Sequence, residues 1–148
     1  MPRDEKSQSN DFWVITGRIV SGVKQAAFFT RLDWVREQCL KKLGFIPYPG
    51  TLNLQVSEEN HSIVERLQGE QGTCLIPPDK KFCTARTLAV FIGDVSGAVI
   101  IPAEDVRVHG KNIIEILAPL SLKDTLGVED GDRLTLLVKK PKLQAAED

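Results

Sequence analysis

Lys42-Leu43-Gly44-Phe45-Ile46-Pro47-Tyr48-Pro49-Gly50-Thr51-Leu52-Asn53-Leu54 decides how the chain is read. Gly44 stops a helix, and Pro47, Pro49 and Gly50 then force a rigid turn, because proline fixes its own φ, biases the preceding residue towards extended geometry, and glycine reaches dihedrals that other residues avoid. The chain leaves that turn as a strand. With side chains alternating at period two, Leu52, Leu54 and Val56 face one way while Thr51, Asn53 and Gln55 face the other. Thr51 and Asn53 therefore present neighbouring oxygens. From spacing alone, an ordinary turn and half-buried strand explains the stretch better than a binding site does.

Upstream, Trp13 to Val20 reads as a strand bounded by Ser21-Gly22. A helix follows Thr30, which with Asp33 imitates a capping box. Leu32, Val35, Cys39, Leu40 and Leu43 fall at helical spacing, so this helix should lay an apolar face on one side of a sheet before it ends at Gly44. A second helix is expected from about Glu58 to Gln68, with Ser57 as N-cap and Gly69 as its stop. From Phe82 onward the pattern is β-rich: Thr84 to Ile92, a turn at Gly93-Asp94, Ala98 to Ile101, Ile113 to Leu117, and Arg133 to Val138. Short strands, few helices and Gly/Pro-marked connections predict a mainly β fold with helices, closed into a small barrel.

At 148 residues the chain has the size of one domain, expected over 12–139, with flexible ends at 1–11 and 140–148. Apolar content of 42% and a net charge of −1 fit a globular protein and count against an electrostatic nucleic-acid binder. The polar start and the absence of a long apolar run predict a soluble, cytoplasmic protein without membrane spans. Cys39, Cys74 and Cys83 are odd in number and widely spaced, which predicts neither a disulfide framework nor a C-x-x-C metal site. Cys39 reads as a small buried hydrophobe.

Two blocks carry a resemblance. Gly17-Arg18-Ile19-Val20-Ser21-Gly22, the helix after it and Leu43-Gly44-Phe45 through Leu54 form the first; Gly97-Ala98-Val99-Ile100-Ile101-Pro102, Ile113 through Pro119 and Asp130-Gly131-Asp132 form the second. In this order they resemble the archaeal-type CTP-dependent riboflavin kinases. The resemblance implies a six-stranded cradle-loop barrel with appended helices. It also implies transfer of the γ-phosphoryl group of CTP to the terminal ribityl hydroxyl of riboflavin, giving FMN and CDP. By the same resemblance Thr51 and Asn53 hold Mg²⁺, the loop Gly22, Val23, Lys24, Gln25, Ala26, Ala27 and the stretch Leu120, Ser121, Leu122, Lys123, Asp124, Thr125 hold the nucleotide, and Glu115 and Arg107 face the flavin.

The residues themselves qualify each assignment. Mg²⁺ favours hard oxygen ligands and keeps waters, so two neutral side-chain oxygens suit it best when phosphate oxygens complete the shell. The Gly22 to Ala27 loop departs from the family's glycine-rich pattern: Lys24 and Ala26 stand where glycines are expected, and side chains resist the left-handed dihedrals of an anion-binding nest. Either Lys24 supplies charge to the phosphates instead, or the activity has been lost. A conventional phosphate-binding loop is excluded, because Val23 interrupts the required Gly-Lys-Ser/Thr sequence.

Ser121 and Asp124 imitate a second capping box opening a short helix, and Lys123 stands where relatives tend to have Arg, without the bidentate fork. Glu115, the single charge in Ile113 to Leu117, either faces solvent on a pleat or accepts from the hydroxyls of a ribityl chain. Arg107 replaces a flavin-contacting Thr. Phe28, Phe29 and Trp34 read as packing aromatics, and His61 and His109 receive no role. Two other readings stay open: a non-catalytic flavin or nucleotide sensor on the same barrel, and a DNA-binding or protein-interaction barrel.

Overall fold

The computed structural model describes residues 11–22, 29–79, 85–102 and 112–141. Seven strands form one antiparallel sheet: β1 (Phe12–Val20), β2 (Leu52–Val56), β3 (Thr73–Leu75), β4 (Ala85–Ile92), β5 (Val95–Pro102), β6 (Ile113–Leu117) and β7 (Arg133–Lys139). Their order is β3-β4-β5-β6-β2-β1-β7, and a further β4–β7 pairing closes the ring. Six strands thus make the barrel that the resemblance implied. The short β3, unpredicted from sequence, lies along the same edge of β4, at Ala85 to Thr87, while β7 takes Val90 and Phe91.

The alternation expected of the strands fills the barrel. Trp13, Ile15 and Ile19 of β1 meet Leu54, Val90, Val99, Ile116, Leu136 and Val138 in one buried core. Register sets these contacts, with Ile15 opposite Leu136, Ile19 opposite Leu54 and Leu54 opposite Ile114. A one-residue slip would turn each apolar set outward.

A second core lies outside the barrel. Helix α1 (Asp33–Gln38) and the π-helical turn Cys39–Leu43 bring Val35 and Cys39 onto Leu75 and Leu117, with Phe29, Leu32, Trp34, Leu43 and Phe45 packed around them. Phe29 and Trp34 meet edge to face at 6.0 Å, the packing role expected of them. Leu40, placed on the apolar face from sequence, is 52% exposed. Leu40 lies one residue past Cys39, about 100° round the helix from it and off the stripe formed by Leu32, Val35, Cys39 and Leu43. Gly44 ends the helix as expected.

Thr30 does not act as the predicted cap. The N-cap residue is Leu32, without a side-chain cap bond, and the buried Thr30 hydroxyl instead accepts from the Gly50 N–H at 2.7 Å. Ser57 likewise makes no side-chain cap bond before the 3₁₀ turn Glu58–Asn60 that leads into α2 (His61–Gln68). Ser121 does cap: its hydroxyl accepts from the Asp124 N–H ahead of α3 (Leu122–Leu126).

The cysteine expectation fails in one respect. Cys74 is disulfide-bonded, which the wide spacing of the cysteines did not suggest. Cys39 is free and buried, and burial pushes its thiol up to about 11. Cys83 lies outside the described residues. Among the described residues no helix is long and apolar enough to cross a membrane.

Candidate functional site

The deciding turn is held at both ends. Gly50, at φ +101, gives its N–H to Thr30, and the Tyr48 N–H donates to the Ala118 carbonyl at 2.8 Å. A side chain at Gly50 would be strained at that dihedral. Held in this way, the turn feeds β2 into its ladder with β6, where Asn53 lies directly opposite Glu115. The Thr51 hydroxyl donates to Glu115 Oε1 at 3.1 Å. Thr51, Asn53 and Glu115, assigned separately from sequence to metal and flavin, therefore form one cluster.

Asn53 departs from the expected exposed face of β2. It is 5% exposed, and among the described residues its Oδ1 accepts no hydrogen bond. A buried acceptor without a donor is costly unless something else satisfies it. A hard cation would do so. Thr51 Oγ1 fits the same role, because a hydroxyl that donates its proton to Glu115 keeps lone pairs for a ligand. The donor set thus fits Mg²⁺, whose preferred partners are oxygens.

Gly22 lies against the Asn53 side chain, so that any Cβ there would force Asn53 or the chain around Gly22 to shift. Val20 pairs with Asn53 at the end of β1, and a Cβ on Gly22 would stand 1.9 Å from Asn53 Nδ2. Val23, Lys24, Gln25, Ala26 and Ala27 lie outside the described residues, as do Arg107, Phe28 and His109.

Beside the cluster opens a cleft of about 160 Å³. Tyr48, Pro49, Gly50 and Thr51 form one wall, Ile116 of β6 and Ala118 just after it contribute to it, and Leu120, Ser121, Leu122 and Lys123 also line the cleft. Asp124 and Thr125, assigned to the nucleotide from sequence, are exposed and do not line it. Helix α3 has five residues, too short to build much of a dipole, and one of its early N–H groups is already taken by Ser121. Charge on this wall comes from Lys123.

Lys123 is not isolated. Its Nζ sits 2.7 Å from Asp130 Oδ1, and the Ser21 hydroxyl donates to Asp130 Oδ2, also at 2.7 Å. The hydrogen bonds from Lys123 and then Ser21 hold the Asp130 carboxyl below the usual carboxylate range. Sequence reading gave Asp130 no role, since nothing in local spacing links it to Ser21.

The sequence model of one family, CTP-dep_RFKase (domain of unknown function DUF120), matches residues 19–138. The chain belongs to this family. A riboflavin kinase of Archaeoglobus fulgidus is 36% identical over 122 residues, 80% of this chain and 51% of the relative. A riboflavin kinase of Pyrobaculum calidifontis is 34% identical, covering 84% of this chain and 59% of the relative. The chain thus spans little more than half the length of these curated relatives, yet it spans 97% of a riboflavin kinase of Methanobrevibacter smithii to which it is 34% identical. The matched residues include both walls of the cleft, the Thr51, Asn53 and Glu115 cluster, and Asp130.

Proposed function

We propose that the protein is a CTP-dependent riboflavin kinase, transferring the γ-phosphoryl group of CTP to the terminal ribityl hydroxyl of riboflavin. The observation that carries this reading is the buried Asn53 Oδ1, which accepts no hydrogen bond among the described residues, in one cluster with Glu115 and with Thr51, which lines the cleft, in a chain of this family. In the transfer the ribityl oxygen gains the γ-phosphorus, the β–γ bridging oxygen leaves with CDP, and the hydroxyl proton is released.

The chain's own residues act mainly by positioning and charge. Thr51 and Asn53 would hold Mg²⁺, which supplies neutralising charge to the phosphates. Thr51 also orients the Glu115 carboxylate through its hydroxyl, and in this reading that carboxylate accepts from a flavin hydroxyl. Lys123 gives the opposite wall the positive charge that a triphosphate needs, as a point charge rather than a fork.

The sensor reading rests on Lys24 and Ala26 in the loop and on Arg107. One assay separates the two. Purified protein is mixed with riboflavin, Mg²⁺ and either CTP or ATP, and FMN is measured. Turnover with CTP and not ATP is the expected result; flavin or nucleotide binding with no FMN from either nucleotide would replace the kinase with the sensor.

A further inference from the structure

An exposed ion pair normally contributes little to stability, so the placement of Asp130 calls for another explanation. Its two carboxylate oxygens serve two separate elements: Oδ1 takes Lys123 of α3, and Oδ2 takes Ser21, the residue before Gly22. The turn that carries it is fixed on both sides. Gly131 N–H donates to the Ile19 carbonyl and Ile19 N–H to the Asp132 carbonyl, both at 2.8 Å, while Val128 N–H donates to the Lys123 carbonyl at 3.0 Å. The Asp132 side chain closes the turn from within by accepting from the Glu129 N–H. A continuous line of contacts therefore runs from Lys123 through Asp130 and Ser21 to Gly22, which abuts Asn53.

We propose that Asp130 is a positioning residue for nucleotide binding, holding the Lys123 ammonium at the cleft and tying it to the start of the Gly22 loop. The inference rests on the nucleotide reading of the cleft given above. A lysine side chain loses considerable rotamer freedom when it binds. Held beforehand by Asp130, Lys123 gives up less on ligand arrival and still has two of its three N–H donors for phosphate oxygens. The Ser21 bond makes the same carboxylate a brace between α3 and the residue that follows β1.

The test compares the wild type with D130A, K123A and the D130A/K123A double variant. CTP binding in the presence of Mg²⁺ is measured by calorimetry, with the KM for CTP, the KM for riboflavin and the Tm alongside. D130A and K123A should each weaken CTP binding about three- to tenfold, with the double variant no weaker than K123A alone, because coupled residues are not additive. The KM for riboflavin and the Tm should stay at wild-type values, which a merely structural role for Asp130 would not allow. S21A should lose a smaller part of the affinity. CTP binding by D130A at or above wild-type strength, or losses that multiply in the double variant, would overturn the inference and leave the nucleotide reading intact. A wild type that binds no CTP would overturn both.

Discussion

The two halves of the site are built on different physical terms. Asn53 and Glu115 sit opposite each other on paired strands with Thr51 just ahead of β2, so the ladder fixes the strand positions, and Asn53 is buried while Thr51 and Glu115 are half-buried. Ser21, Lys123 and Asp130 stand on turns and a one-turn helix, exposed, joined by charge-assisted hydrogen bonds. The first half is therefore strict in geometry and tolerant of salt; the second is adjustable and depends on charge. A site for a metal-bound phosphate gains from both, since the metal needs fixed oxygens while a flexible polyanion needs charge that can follow it.

That contrast can be broken most sharply at Asn53. Asn53→Ala should lower Mg²⁺-dependent FMN formation by about 100-fold or more, with a Tm within a few degrees of wild type, because its Oδ1 has no hydrogen bond to lose among the described residues. Full activity in this variant would remove the metal role from β2. Gly22→Ala comes next. Its new Cβ must displace Asn53 or the loop, and a misplacement of about 1 Å can cost about 100-fold in rate, so a loss of about tenfold to 100-fold in kcat is expected, read in the same assay. The smallest effect tests the exposed half. Raising salt from about 0.1 M to about 1 M shortens the screening length from about 10 Å to about 3 Å, and should weaken CTP binding several-fold in the wild type but less in K123A. Equal salt dependence in the two proteins would mean that Lys123 does not meet the nucleotide.

The strands and the deciding turn were legible because period-two alternation and Gly/Pro punctuation are local signals, and β1, β2, β6 and β7 lie within a residue of where that pattern puts them. The Thr51 and Asn53 pair was legible in position but not in environment. Burial of Asn53 depends on β6 and on Gly22, both distant in sequence. Thr30 misled for a related reason: a threonine ahead of a helix looks like a cap, and only the folded chain brings the Gly50 N–H to it. Leu40 failed because it sits at the edge of the stripe that Leu32, Val35, Cys39 and Leu43 form, where spacing alone does not tell buried from exposed. Asp130 was invisible as a partner, since its contacts with Ser21 and Lys123 exist only once β1 and the Glu129 to Asp132 turn are joined.

Closure of the ring has a consequence for how the protein is made. β7 pairs with β1 from Phe12↔Lys139 to Arg18↔Arg133 and with β4 at Val90 and Phe91, so one late strand completes two seams. As the chain emerges from the ribosome, β1 keeps a bare edge and Trp13, Ile15 and Ile19 lack their cover until residues 133–139 are out. The turn carrying Asp130 leaves the ribosome just before that strand. The charged half of the site is thus assembled in the same late event that seals the barrel, and a nascent chain stalled short of β7 would carry the Thr51 and Asn53 strand without the brace that faces it.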